Sequence, residues 1–516
     1  MTMTTAAAAW LLSAVDPHGT LLCLLAFLLA VVGATRLCSG GRRRPRPPPG
    51  PRGWPVVGNL FQLGAAPHVR LTELSGVYGD VFRLQLGARA AVVVNGWSSV
   101  RQALVGQLDD FASRPNFASF AQYADGKSIS FQPYTAMFRL HRKLATRGLR
   151  ALLAGDVAES VVRREAAALV ELWTRRGDGD GPVDPAADVT LSVGGVLYSL
   201  CFGQHADIRD DADYREFVTE TNPSTELFAA GNQVELLPAW IRLFWRRSRR
   251  RQFSERMARL VALNARKRRE HAATAPGDGE AANMLDILMR ATRQVNETER
   301  RQVGLTDDHL LSTTIEFISA GTDTSSTTLL WLLLYMAVYP DEQRRIQRDI
   351  DDVVSGDGPP THAECLRIPR AEATIFEVMR LSTIVPFALP HCAVADVTLD
   401  GYDIPRDTLV LINLWSVAHD ARIWDDVDDF RPERFLTKRA DGYVVNRQMA
   451  HRFLPFSAGR RRCIGEVLGR MQVLMIFATI LHKCTIRLPE GCVPDLSPEF
   501  GDLLKPRPYK VCIDAR

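Results

Sequence analysis

Two rhythms of hydrophobic and polar positions run along this chain, and the helical one dominates. Val81–Leu86 and Ala90–Val94 are short apolar runs rich in β-branched residues and separated by Gly87, a pattern that predicts a hairpin-like pair of strands. Beyond them apolar residues recur at three- and four-residue intervals. Asp156–Arg175 and Phe253–His271 carry this spacing and are predicted to be helices. Ala275–Ala281, rich in Gly, Pro and Asp, predicts a loop. The longest helical pattern runs from about Asp307 to Tyr339, with Thr306 as its N-cap and Pro340 as its stop. Its stretch Leu329–Met336 is apolar on nearly every side, as in a helix central to a large core or inside a membrane. The polar residues Thr322–Thr328 at mid-helix disfavour a membrane span and mark a face turned toward a site. Another helical pattern, Glu466–Leu481, follows a loop rich in Gly and Arg. No repeat of 20–50 residues is visible, which argues against a solenoid or propeller. The expected fold class is mostly α with a small β part (α+β).

The N-terminus has a different pattern. No charge falls between Gly19 and Ala34, and Leu21–Val32 is almost entirely apolar. Arg36, Arg42, Arg43, Arg44 and Arg46 follow, and no basic residue precedes the stretch. This asymmetry favours a retained signal anchor with the arginines in the cytosol over a cleaved signal peptide. The stretch is short for a full span; the milder Trp10–Val15 segment, or a thinner endoplasmic reticulum bilayer, covers the gap. The prolines of Pro45–Pro51 and Pro55 exclude helix and make a stiff spacer. The expected organisation is a membrane signal anchor over 1–35, a basic and proline-rich hinge over 36–55, and a globular remainder over 56–516.

Composition narrows the function. With 516 residues, 46% of them hydrophobic, the chain can bury a large core. Its 63 basic and 59 acidic residues nearly balance, giving no case for nucleic acid as the partner. The nine cysteines are scattered without a Cys-x-x-Cys pair, so neither a disulfide framework nor a zinc site is expected, and a reducing compartment fits. Most are read as small core residues.

One cysteine differs. Phe456-Ser457-Ala458-Gly459-Arg460-Arg461-Arg462-Cys463-Ile464-Gly465 sets Cys463 between two glycines, which let the backbone turn tightly and approach a flat ligand. Backbone N–H groups and the start of the following helix would stabilise a thiolate there. The segment resembles the haem-binding signature of the cytochrome P450 family, Phe-x-x-Gly-x-Arg-x-Cys-x-Gly, matched at Phe456, Gly459, Arg461, Cys463 and Gly465. The resemblance implies a P450 fold, with haem b held between the long central helix and the cysteine loop. Cys463 would be the axial iron ligand, pushing electron density onto the metal, and Arg461 would pair with a haem propionate.

Further motifs follow the family's chain order. Glu377-Val378-Met379-Arg380 matches Glu-x-x-Arg, and Pro432-Glu433-Arg434-Phe435 resembles Pro-x-Arg-Phe. Glu377, Arg380 and Arg434 would form a buried ionic triad of structural rather than chemical role. Ala320-Gly321-Thr322-Asp323-Thr324-Ser325 resembles the oxygen-activation segment. There Gly321 would leave room for oxygen, and Asp323 and Thr324 would relay protons; the alternative is a Thr-rich helix face bonding its own carbonyls. Phe138-Arg139-Leu140-His141-Arg142 aligns with Trp-x-x-x-Arg, so Arg142 fits a propionate contact while Phe138 lacks the tryptophan N–H. His391 falls where the family often has a basic haem contact, or else is a satisfied core histidine.

The resemblance spans the chain from the proline hinge to the C-terminus and is strongest to the animal microsomal branch. Phe111–Phe120 and Asn413–Asp420 are most like the aryl-hydrocarbon hydroxylases. It implies that 56–516 is a catalytic domain on the cytosolic face of the endoplasmic reticulum membrane. This domain would hydroxylate small lipophilic (aromatic, xenobiotic, steroid or fatty acid) substrates with O2. Electrons would come from NADPH through a separate NADPH–cytochrome P450 reductase, with cytochrome b5 as a second candidate donor. Pocket residues are expected in 117–131, 226–228, 317–324 and 385–389 and around Leu503. Arg460 and Arg462, with Arg142 and Lys143, would dock the acidic donor. Arg242, Arg246, Arg247, Arg249, Arg250 and Arg251, beside Trp240, Phe244 and Trp245, make either a contact with membrane lipid or a solvated helix end. Two rivals remain: a same-fold peroxide isomerase or dehydratase needing no reductase, and a non-catalytic haem sensor or carrier.

Overall fold

Thr306 begins the longest helix, its backbone N–H donating to His309 Nδ1 at 3.2 Å. The helix ends at Val338, and Pro340, which cannot continue it, opens the next one at a position where its missing N–H costs nothing. The computed structural model describes residues 46–176, 181–203, 208–220, 235–237, 247–274, 283–440 and 442–516. The expected anchor over 1–35, the loop over 275–281, pocket residues 226–228 and the arginine cluster as far as Arg246 lie outside them. No described helix is long and apolar enough to cross a membrane.

Residues Pro47–Arg516 form one compact unit. Numbering only helices of more than ten residues, it contains α1 (Pro67–Tyr78), α2 (Ala136–Leu153), α3 (Val157–Arg176), α4 (Ala186–Phe202), α5 (Arg247–Thr274), α6 (Met284–Gln294), α7 (Asp307–Val338), α8 (Pro340–Val353), α9 (Pro369–Ser382) and α10 (Glu466–Lys483). The strands nearest the site are β1 (Val81–Leu86), β2 (Arg89–Val94), β3 (His391–Cys392), β4 (Val397–Leu399), β5 (Tyr402–Ile404) and β6 (Leu409–Ile412). The fold is mostly helical with small sheets. The predicted hairpin forms as β1 and β2, antiparallel with Val81 opposite Val94, and β2 extends it by pairing parallel with β6. β3 closes this sheet's far edge with His391 opposite Val410. The compact unit starts earlier than the hinge reading implied. Pro49 is already bonded to β1 through the Arg83 N–H at 2.7 Å, so the second half of the proline stretch is a docked edge.

α7 runs through the core, packed by α4, α6 and α10. Its residues Leu310–Ser319 are all buried. Polar contacts tie it to the preceding chain: His141 Nε2 of α2 lies 2.8 Å from Thr313 Oγ1, and the Glu316 carboxylate accepts the Ile129 and Ser130 N–H groups at 2.6 and 3.0 Å. The segment between β2 and α2 carries an aromatic row. Phe117 meets Phe120 at 5.1 Å, and Phe131 meets Phe120 at 4.5 Å and Tyr123 at 5.1 Å between ring centres. Residues 235–237 clamp that segment from outside: Glu235 accepts the Ala118 and Ser119 N–H groups at 3.0 and 2.7 Å, and the Leu236 carbonyl accepts from Ala88 at 2.8 Å.

The Glu-x-x-Arg pair sits on α9 with no solvent exposure. Glu377 and Arg380 form two hydrogen bonds at 2.8 and 2.9 Å, and Arg434 Nε reaches Glu377 Oε1 at 3.1 Å. Arg380 also donates to the Ala418 and Val427 carbonyls, tying α9 to the segment that leads toward the cysteine loop.

Candidate haem site

The cysteine loop is shaped by unusual backbone. Leu454, Ser457 and Gly459 take φ of +53, +57 and +71°, and a Cβ at Gly459 would lie 1.9 Å from the Leu104 carbonyl oxygen, so only glycine fits there. The Cys463 N–H donates to the Phe456 carbonyl at 3.0 Å, which closes the loop and explains the fixed spacing of those two residues. Gly465 is the N-cap of α10. The Gly465 and Glu466 backbone N–H groups and the Arg142 charge pull the thiol's pKa down. Burial is larger and, helped by the Glu466 carboxylate, pushes it up overall. A coordinated metal would stabilise the thiolate against this burial, because a metal deprotonates its thiol ligand.

Cys463 is nonetheless reached by solvent. Other cysteines contrast with it. Cys201, Cys365, Cys392 and Cys484 are buried, and burial raises Cys365 to about 12 and Cys392 and Cys484 to about 11.

Three guanidinium groups gather beside this loop, and no described carboxylate pairs with them. Arg461 donates to the carbonyls of Ala112 at 2.7 Å, Ile129 and Gln132, while Arg114 donates to those of Ser130, Leu389 and Pro390. Arg142 donates to the Arg462 carbonyl. Burial, then the charges of Arg114 and Arg142, hold Arg461 down to about 8; burial, then Arg142, hold Arg114 to about 9. A guanidinium does not give up its proton under ordinary conditions, so these groups are buried positive charges, crowded together and bonded only to carbonyls. His391 joins the cluster. Its Nδ1 lies 2.6 Å from the Phe111 carbonyl and so carries the proton, and burial, with Arg114 and Arg461, holds the ring neutral down to about 3. Its Nε2 can donate only once the ring is doubly protonated, a state that a nearby anion would stabilise. A group bearing two carboxylates and a metal, as haem b does, satisfies both the cations and the thiol.

Arg114 escaped the sequence reading, although the stretch containing it was noted. Phe138, the substituted position, is buried and lies flat against Arg461, whose guanidinium carbon is 3.6 Å from the ring centre. The ring offers a π-face where a tryptophan would offer an N–H as well.

On α7 the buried run breaks at Ala320, which is exposed, and at Gly321 and Thr324, which are half-buried. Thr324 Oγ1 donates to the Ala320 carbonyl at 2.8 Å, so the self-bonding alternative describes its resting state. A Cβ at Gly321 would lie 2.7 Å from Leu197 Cδ1, so the missing side chain also brings α7 close to α4. Asp323 is buried on another side of the helix, its Oδ1 2.9 Å from Lys505 Nζ. The acid and the alcohol are thus neighbours in sequence with separate partners. Arg460 and Arg462 are exposed and paired with Asp109 and Glu466, at 2.8 and 2.6 Å.

The chain matches the family described as cytochrome P450 over residues 48–513. Cytochrome P450 1A2 of Felis catus is 35% identical over 464 residues, covering 88% of this chain and 89% of that protein. Cytochrome P450 1B1 of Homo sapiens is 34% identical over 508 residues, covering 96% and 92%. A solved zebra fish cytochrome P450, determined with progesterone, has a TM-score of 0.76 at 28% identity and covers 87% of this chain and 99% of that one. Signature, fold and relatives agree, and the chain belongs to the cytochrome P450 family, which uses a cysteine-ligated haem b.

Proposed function

We propose that this protein is an NADPH- and reductase-dependent monooxygenase that hydroxylates small lipophilic substrates. The observation that carries the reading is the solvent-reached Cys463 thiol beside an arginine cluster without carboxylates. Cys463 is the metal ligand, and the Phe456 carbonyl fixes its backbone. Arg114, Arg142, Arg461 and His391 hold the two propionates. When bound, the haem supplies reduction of O2 and insertion of one oxygen atom into substrate. Asp323 and Thr324 deliver protons, Thr324 from the face that opens at Ala320. The aromatic residues of Phe117–Phe131, packed edge-on and tilted against one another, are proposed to border an apolar pocket, in keeping with the progesterone solved with the zebra fish relative.

The electron donor is an acidic flavoprotein reductase, with cytochrome b5 as a second partner. Arg139, Lys143, Arg147 and Arg150 form an exposed stripe at helical spacing on α2, and no described carboxylate pairs with them. Residues 1–35 anchor the protein in the endoplasmic reticulum membrane, the basic stretch ahead of Pro47 is the hinge, and the compact unit from Pro47 onward is the catalytic domain in the cytosol. Exposed Trp54, Val56, Phe61 and Val77 supply apolar surface for lipid near the start of the compact unit.

The test reconstitutes haem-loaded protein in vesicles with reductase, NADPH, labelled O2 and a panel of planar aromatics and steroids. The expected result is product carrying one labelled atom, formed only when reductase is present. Rearrangement of organic peroxides without reductase would establish the isomerase instead, and stable haem without turnover would establish the sensor or carrier.

Phe138 gives a second expected result. Phe138→Ala removes the ring under Arg461 and should speed haem transfer to apomyoglobin by roughly 2- to 30-fold, the range of one cation–π contact. Phe138→Trp, which restores an N–H donor, should slow it below wild type. Equal transfer rates in all three proteins would show that this ring does not help retain the cofactor.

A further inference from the structure

Asp323 and Thr324 are consecutive on α7, and consecutive helical residues point about 100° apart. Thr324 stands on the side that opens at Ala320, and Asp323 does not share it. The Asp323 side chain is only 9% exposed, and its partner Lys505 is 39% exposed. A buried carboxylate is costly unless paired, so the ammonium that stabilises it is also the group that connects it to water.

We propose that Lys505 is a positioning residue for proton delivery, holding Asp323 at the water-facing end of the path by which protons enter. The proposal rests on the monooxygenase reading above. Lys505 lies on the strand Leu504–Pro506, which pairs antiparallel with Pro498–Phe500 and places exposed Glu499 directly opposite it. Opposed charges across a strand pair ordinarily meet, yet the ammonium turns instead to Asp323, 182 residues back in the chain. Its strand is fixed on both sides by Leu504. The Leu504 N–H donates to the Ile384 carbonyl at 2.9 Å, and the Leu504 carbonyl accepts from Trp331 Nε1 at 2.9 Å. Trp331 belongs to α7, so the helix that carries the acid also fixes the strand that carries its partner.

The balance of the reaction gives this pair its work. Substrate RH and O2, with two electrons from NADPH through the reductase and two protons from water, give ROH and H2O. Each proton that leaves the Asp323 carboxyl for the Thr324 side leaves a carboxylate behind. Lys505 stabilises that carboxylate where water reaches it, and the next proton is taken from that water.

The experiment compares wild type, Lys505→Met, Lys505→Arg and Thr324→Ala as haem-loaded enzymes with reductase, each shown to be loaded by its reduced carbon monoxide spectrum. Lys505→Met should raise hydrogen peroxide released per NADPH by roughly 10-fold, a fraction of what a positioned general acid contributes. It should also enlarge the solvent isotope effect on product formation, and Lys505→Arg should restore both. A protonated-carboxyl band should appear in the infrared difference spectrum of Lys505→Met at neutral pH and vanish when Asp323→Asn is added. Should Lys505→Met fail to load haem, Lys505→Gln takes its place in every comparison. Wild-type coupling and isotope effect in Lys505→Met, or an Arg variant no better than Met, would overturn the proposal. If Thr324→Ala uncouples while Lys505→Met does not, Lys505 falls and the monooxygenase stands. If wild type itself makes no reductase-dependent product, the functional reading falls instead.

Discussion

Cys463→Ala is expected to leave a folded protein that has lost the thiolate Soret signature of its reduced carbon monoxide complex and forms no hydroxylated product. The fold should survive because the loop-closing bond to the Phe456 carbonyl is made by the Cys463 backbone, and Gly465 rather than Cys463 caps α10. Haem should still associate, more weakly, because the arginines that face its carboxylates are untouched. No other described thiol is expected to take over: Cys512 is half-buried on the strand Cys512–Ala515, paired with Cys484–Arg487. Cys201, Cys365, Cys392 and Cys484 are buried with their thiols pushed well above neutrality, and Cys492 is an exposed side chain within a run of exposed residues from Glu490 to Asp495. The control is therefore Cys492→Ala, which should keep a wild-type spectrum. A thiolate spectrum in Cys463→Ala would remove this residue from the metal and with it the central assignment.

Glu377→Gln should be the most damaging change away from the haem. It leaves Arg380, fully enclosed, as a buried cation whose only remaining partners are carbonyls. Breaking a buried ion pair by removing one partner costs about 3–5 kcal/mol, a large part of the margin of an ordinary domain. Arg434 and the Arg431 N–H bond the Glu377 Oε1 and lose its negative charge, so the segment before the cysteine loop is held less firmly too. Urea titration should show the midpoint falling steeply, with a matching drop in haem content. The rate per bound haem should be unchanged, since the triad touches no reacting atom. A fall in rate per haem at full haem content would mean that Glu377 takes part in the chemistry rather than only in the fold.

The sequence carried more of the site than of its connections. Short patterns announced the ends of α7, the β1–β2 hairpin and the cysteine loop, because caps, prolines and glycines act on their immediate neighbours. Arg114 was missed because its significance lies in partners far along the chain; the Leu389 carbonyl is 275 residues away. Nothing local marks an arginine as buried without a counter-ion. Lys505 escaped for the same reason. Gly321 has a neighbour that the sequence does not announce, Leu197 of α4, since periodicity gives the face of a helix but not what packs there. The adjacency of Asp323 and Thr324 likewise suggested a joint role, while helix geometry sends the two side chains to separate partners.

The crowding of Arg114, Arg142 and Arg461 also bears on how much of this protein a cell can hold. Like charges packed together without an anion work against the native state, and a dianionic ligand that binds only that state shifts the equilibrium toward it by mass action. Chains made without haem should therefore spend more time open to proteases, and the abundance of the enzyme is expected to follow iron and porphyrin supply.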